Sequence, residues 1–314
     1  MGGGEAVTGD GLPHWPDEAA QTARPERQRP SRRRRQPRGR LGPLLAIAIL
    51  VAAAILVVVL IVGRKSGPPP PPPTLRITFP EGLTRAQMAR QVTAVDSIAR
   101  RTRQLDPAMT ARGYLAATRS WLAPAWFAVP RRRHAVEGFL FPSTYEFLAA
   151  TPARALVAQQ LTAFHDAWTA LDLRYARSKN LTPYDVLIIA SMVEKEIAAP
   201  EERALAAAVI YNRLKARMRL QIDATLVYGF HLVAGAALTG TQLRTDDPYN
   251  TYTRYGLPPT PIANPGAAAL EAAAHPARVP YLFYVRKPDG VHHFFTASYE
   301  AFKRFCRAHG YGAC

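Results

Sequence analysis

The chain has 314 residues, with 40 Lys+Arg against 23 Asp+Glu and a formal net charge of +17. At 48 % hydrophobic residues it can bury a core of one or two domains, which excludes disorder throughout. Two cysteines exclude a disulfide-dense scaffold and a four-cysteine zinc site.

Residues 1–43 are rich in Gly, Pro, Arg and Gln and predict a disordered basic tail. Leu44 to Val62 then run without a charge, a Gly or a Pro. At ~1.5 Å per residue such a helix spans roughly 28 Å, close to the ~30 Å hydrocarbon core. A buried core helix seldom lacks a polar face over so many turns, and a signal peptide would have a shorter apolar run and a small-residue cleavage site. The segment therefore reads as an uncleaved single-pass anchor.

Nine arginines between Arg24 and Arg40 precede it, against Arg64 and Lys65 behind. Cationic flanks stay cytoplasmic, so the N-terminus is expected inside and the bulk of the chain outside, in the periplasm. In that position the arginines are a topology signal rather than a nucleic-acid arm. Residues 63–74 carry six prolines, Pro68 to Pro73, and predict a stiff spacer. Beyond residue 65 there are 29 basic and 18 acidic residues, so the exported part is itself basic.

Residues 75–148 predict strand, helix, helix, strand: Leu75–Phe79, a helix beginning at Thr84 with Ala86, Met88, Ala89 and Val92 on its apolar side, a helix over about 110–122, and Thr144–Phe147. This order is that of a small LysM-like glycan-binding unit, and unrelated units share it. Residues 149–314 predict an α+β main domain. An amphipathic helix follows Thr151-Pro152. Thr182, Pro183 and Asp185 are N-terminal signals for a helix whose Val186–Val193 run is apolar on all sides and therefore central.

Glu194 ends that run. Desolvation would raise its pKa and suit it to general acid work, although a glutamate on the solvent edge of the helix fits the same spacing. Glu196 lies two residues on, roughly opposite, so the two carboxyls cannot share a face. Another helix is expected from Pro200 to Met218, followed by a loop-rich stretch after Asp223. There Tyr249, Asn250, Thr251 and Tyr252, with Pro258, Pro259 and Pro261, form a proline-held aromatic loop of the kind that lines clefts. A hairpin with an Asp289-Gly290 turn joins strands over 280–285 and 292–296. His292 and His293 point to opposite faces and make a poor chelating pair, so no metal and no other cofactor is expected. Cys306 and Cys314 could pair in an oxidising compartment.

Glu137–Tyr145, Ala190–Glu196, Val209–Leu214, Met218–Gly229, Tyr249–Tyr252, Gly256–Pro259 and Pro261–Gly266, in this order behind one anchor, resemble the endolytic murein transglycosylases of the YceG-like (MltG) family. The resemblance runs from about residue 75 to 304. It implies a LysM-like subdomain before an α+β catalytic domain that cuts the MurNAc–GlcNAc bond and leaves 1,6-anhydro ends. It places the catalytic acid/base at Glu194. Gln221, Asp223, Tyr249, Asn250 and Thr251 are expected to bind substrate or to orient Glu194. Ser143 stands where the family usually has Asp, and Phe302 where His is common. The expected partners are peptidoglycan strands, the inner membrane and glycan-polymerising synthases, with no nucleic acid. A catalytically degraded glycan-binding scaffold and a two-carboxylate muramidase hydrolase remain the alternatives.

Overall fold

The computed structural model describes residues 42–64, 71–119, 121, 123, 124, 127, 129, 136–233 and 235–311. The basic tail, the arginine run, Pro68–Pro70, Arg131–Arg133 and Cys314 lie outside these residues. The chain divides into two units, Met1–Pro70 and Pro71–Cys314. In the first, α1 (Gly42–Arg64) is a single helix whose Gly42–Ile61 stretch is long and apolar enough to cross a membrane, with none of that stretch buried in protein.

The second unit mixes helices with two separate two-stranded antiparallel sheets. β1 (Thr74–Thr78) pairs with β2 (Thr144–Leu148) in the register Leu75↔Phe147 and Ile77↔Tyr145. Alternation puts those four side chains in the core and leaves Arg76 and Glu146 paired outside. Between the strands lie α2 (Arg85–Arg103) and α3 (Ala111–Arg119). Thr84 and Gln87 form a capping box that starts α2. Met88, Ala89 and Val92 are buried as expected, whereas Ala86 is exposed, because it sits on the outer side of the first turn.

Then come α4 (Ala153–Thr169), α5 (Arg174–Ser178) and α6 (Pro183–Glu196). Thr182 caps α6, and Asp185 both accepts from the Thr182 N–H and sits in the positive first turn. Tyr184 and every residue from Val186 to Val193 are buried, so the helix that is apolar all round is the central one. It packs chiefly on α7 (Arg203–Lys215) and α10 (Ala267–Ala274). The helix expected over 200–218 opens as a 3₁₀ turn, Pro200–Glu202, and ends at Lys215.

The stretch expected to be loop-rich holds three helices, α8 (Asp223–Gly229), α9 (Gly240–Arg244) and α10. Their shortness, and for α10 a run of alanines with little amphipathic contrast, hid them from periodicity. β3 (Phe283–Arg286) and β4 (His293–Thr296) form the expected hairpin, with Gly290 at φ +74, and α11 (Tyr299–Ala308) follows.

One residue stitches these parts together. Asn264 is fully buried. Its Oδ1 accepts from the Gly138 and Leu140 N–H groups at 2.9 Å each, and its Nδ2 donates to Leu83 O and Glu137 Oε1. Its backbone also exchanges hydrogen bonds with the Gly82–Leu83 turn. Gly138, at φ +90, lies so close to Pro261 that a Cβ there would meet its ring at 2.7 Å.

Candidate active site

The alternation of two carboxyls along one helix end organises the site. Glu194 and Glu196 leave α6 in different directions. Glu194 turns toward the Gly82 turn and the start of α10. Its side chain is 6 % exposed, its Oε2 accepts from the Gly266 N–H at 3.0 Å, and Arg203 Nη2 lies 4.0 Å from its Oε1 and 3.8 Å from Glu81 Oε2. The Glu81 carboxyl is pressed against Gly266 so closely that any side chain there would overlap it. Burial pushes the Glu194 carboxyl up and the Glu81 charge adds to this, while the Gly266 N–H, Arg203 and Lys195 oppose it. Glu194 is thus dry, as expected, but it is absent from the lining of the neighbouring cleft that Lys195 and Glu196 reach.

That cleft, of about 1020 Å³, is lined by Glu196. Its lining draws on the first turns of α2, the end of α6, Gln221–Ala224, the 227–237 stretch, β3 and the starts of β4 and α11. Tyr284 donates its hydroxyl to Glu196 Oε2 at 3.3 Å. Burial raises the Glu196 carboxyl, and the neighbouring Asp223 charge raises it further. The Tyr284 hydroxyl, the Ala224 N–H and Arg286 favour its anion. Asp223 accepts a short hydrogen bond from the Tyr252 hydroxyl, which fixes its direction. Burial lifts the Tyr252 and Tyr284 phenols above their ordinary range, so both remain hydrogen-bond donors at neutral pH.

The five residues expected to bind substrate or to orient the donor divide. Gln221 and Asp223 line the cleft. Gln221 adopts φ +52, held there by its N–H to Thr251 O at 3.1 Å. A non-glycine residue in that region is uncommon and marks a position that the surroundings enforce.

Asn250 and Thr251, by contrast, are buried and work as internal braces. Asn250 Nδ2 donates to the Gln242, Leu243 and Thr245 carbonyls, and its Oδ1 accepts from the Tyr252 N–H. Thr251 Oγ1 accepts from the Ile222 N–H at 2.9 Å and meets Thr225 Oγ1 at 3.1 Å. Their side-chain polar groups are engaged within the protein, which suits them to holding the cleft residues in place. Tyr249 does not line the cleft either. Its hydroxyl pairs with Thr260 at 2.8 Å and its ring tilts against Tyr228. The YNTY stretch thus shapes the cleft by holding Gln221, Ile222 and Asp223.

Sequence reasoning missed Glu196, Tyr284 and Glu137 as cleft residues. The two-residue spacing from Glu194 was the available signal for Glu196. Glu137 is buried and lines the same cleft. It accepts from the Arg85 N–H, Asn264 Nδ2 and the Tyr228 hydroxyl. Desolvation outweighs these bonds and pushes its carboxyl up to about 7.

His293 is buried and clamps Glu202, donating its N–H to both carboxylate oxygens at 3.0 Å, whereas the His292 side chain is 45 % exposed. The two are on opposite faces, as the strand dictates. Among the described residues no group of three or more His, Cys, Asp or Glu is placed to hold a metal ion.

Fold and site together define a mixed α/β protein with a carboxylate-bearing cleft at the end of its central helix. The sequence matches the YceG-like family over residues 60–308, and the chain belongs to that family. It is 34 % identical over 158 residues to the endolytic murein transglycosylase of Bacillus subtilis, covering 50 % of this chain and 44 % of that protein. It is 31 % identical over 226 residues to the endolytic murein transglycosylase of Streptococcus pneumoniae R6, covering 67 % and 40 %. The chain thus spans less than half the length of these curated relatives. A crystal structure of a putative yceG-like protein from Listeria monocytogenes superposes with a TM-score of 0.59 at 26 % identity, covering 73 % of this chain and 75 % of that one.

Proposed function

We propose that this chain is a membrane-anchored endolytic peptidoglycan lytic transglycosylase and that Glu196 is its acid and base. The observation that carries the reading is the Glu196 carboxyl, which lines a cleft of about 1020 Å³ together with Asp223 and is raised by burial and by that neighbouring charge. The family and the names of its relatives supply the substrate class. In the proposed cycle, protonated Glu196 gives its proton to the glycosidic oxygen as the MurNAc C1–O bond breaks. The anion then takes the proton of the MurNAc C6 hydroxyl as O6 closes on C1. The products are a free GlcNAc hydroxyl and a 1,6-anhydro end, and Glu196 recovers its proton. Acid–base help of this kind contributes roughly 10²–10⁴-fold. In this reading the Asp223 carboxylate steadies the positive charge that develops at C1.

Glu194, the donor expected from the sequence, is the competing assignment, since its carboxyl is also dry and raised. A second reading of the chemistry draws on Asp223. A second carboxylate beside the acid could activate water and make the enzyme a hydrolase that leaves reducing ends. End-group analysis of digested strands decides these points together. Wild type is expected to release anhydro ends and Glu196→Gln almost none. Full activity in Glu196→Gln with loss in Glu194→Gln would reverse the assignment.

The β1–α2–α3–β2 unit of residues 75–148 is proposed as a LysM-like glycan grip ahead of a catalytic domain over 149–314. The α1 helix is proposed to cross the inner membrane once with its N-terminus in the cytoplasm, holding the rest in the periplasm beside glycan-polymerising synthases. Trimming of newly made strands follows from that tether.

A further inference from the structure

We propose that a cavity at the far end of α6 from Glu196 is a second glycan-binding site, holding a distant stretch of the same strand that enters the cleft. The inference rests on the reading of the cleft as a glycan cutter. The cavity measures about 1130 Å³ and is built on α5, the first half of α6, the end of α7 and the loop over 248–259. It meets α6 at Asp185 and Ile188, whereas the cleft meets it at Lys195 and Glu196. At ~1.5 Å per residue, roughly 10 Å of helix separates Ile188 from Lys195 and roughly 16 Å separates Asp185 from Glu196.

Its chemistry suits a charged sugar chain. Tyr175 and Tyr211 sit 5.5 Å apart in the lining. Tyr255 is 66 % exposed, with the Arg219 guanidinium 5.2 Å from its ring centre. A flat ring with a polar edge is the surface on which a pyranose face stacks, and an exposed tyrosine in a proline-bounded loop gains nothing from folding alone. Lys179 and Lys215 supply positive charge. Among the described lining residues Asp185 is the one acidic group, and its Oδ2 accepts from the Thr182 N–H and hydroxyl. The carboxylates borne by the stem peptides of murein complement that balance.

The two sites also share a loop. Thr251 and Tyr252 hold Gln221, Ile222 and Asp223 at the cleft, and Tyr255, Leu257, Pro258 and Pro259 line the second cavity a few residues later. A strand that reaches both sites binds the second one intramolecularly, which raises avidity by on the order of 10²-fold or more, whereas a short oligosaccharide engages one site only.

The test uses the full chain carrying Glu196→Gln, so that strands are bound and not consumed, with peptide-bearing glycan strands of graded length as the probe. Affinity is expected to rise on the order of 10²-fold once strands are long enough to span both sites. Adding Tyr255→Ala and Lys215→Gln, both at exposed positions, is expected to remove that rise, and Tyr255→Phe, which keeps the ring face, to preserve it. Equal affinity at all lengths, or a rise that survives Tyr255→Ala with Lys215→Gln, would overturn the second site. Catalysis is read separately from the anhydro ends made by wild type. Their absence alongside an intact length dependence overturns the catalytic reading and leaves this site standing.

Discussion

Helix geometry turns residues two apart to nearly opposite sides, and here that rotation sends Glu194 to the Gly266 amide and Glu196 to the cleft. The pH profile should carry the signature of the donor. A group that must be protonated acts below its pKa, and activity falls as pH rises through it. Asp223→Asn removes a like charge from beside Glu196, so the carboxyl loses a proton more readily and the alkaline limb of kcat/KM should move to lower pH. An unmoved limb would show that Asp223 does not tune the donor. Glu137 makes a different prediction, about stability. Its carboxyl titrates near 7 in the fold against an ordinary 4.5. The neutral form is therefore the one the fold prefers. Stability from this site is fully present below about 4.5 and is lost as pH rises through about 7, by on the order of 3 kcal/mol. Wild type should lose more denaturation free energy than Glu137→Gln between pH 5 and pH 8. Parallel losses in urea titrations would show that Glu137 is not the group responsible.

Among the elements, the features legible in the sequence are those carried by neighbours along the chain. The Thr84–Gln87 and Thr182–Asp185 boxes act over three residues, and so do the signals that name them. Thr182→Ala should cost about 1 kcal/mol in chemical denaturation, the usual worth of such a cap. The apolar run of α6 and the alternation of β1 and β2 were legible for the same reason. What the sequence hid is what acts at long range. Asn264 lies more than 120 residues from Gly138 and Leu140, whose N–H groups it satisfies, and no period links them. Asn250 and Thr251 likewise resemble ligand contacts in the sequence, although the Asn250 amide is consumed by the 242–245 carbonyls and the Tyr252 N–H, and the Thr251 hydroxyl by Ile222 and Thr225, more than 25 residues away. Asn264→Ala would leave the buried Gly138 and Leu140 N–H groups without acceptors and remove one of the donors to Glu137. It should cost several kcal/mol, well above Thr182→Ala, because each orphaned buried group forfeits about 1–3 kcal/mol. Equal losses for the two variants in the same titration would refute this account of how the junction is held.

At the scale of the whole molecule the decisive fact is that a compact unit beginning at Pro71 follows an apolar helix, Gly42–Arg64, by only a few residues. In the proposed reading of Gly42–Arg64 as a membrane anchor, so short a connection limits the reach of a glycan-cutting site, which then meets strands at an effective concentration set by the tether. On that reading, strands newly made at the membrane are favoured over older, more distant wall. Replacing residues 1–66 by a cleavable export signal would free residues 71–314 into the same compartment with the cleft unchanged. The freed protein should cut purified strands at the wild-type rate. In cells, pulse-labelled new strands should gain fewer anhydro ends and long-labelled wall more. If the freed and anchored forms divide their cuts alike between new and old wall, selectivity resides in the cleft or the second site, and the anchor serves only to keep the protein in place.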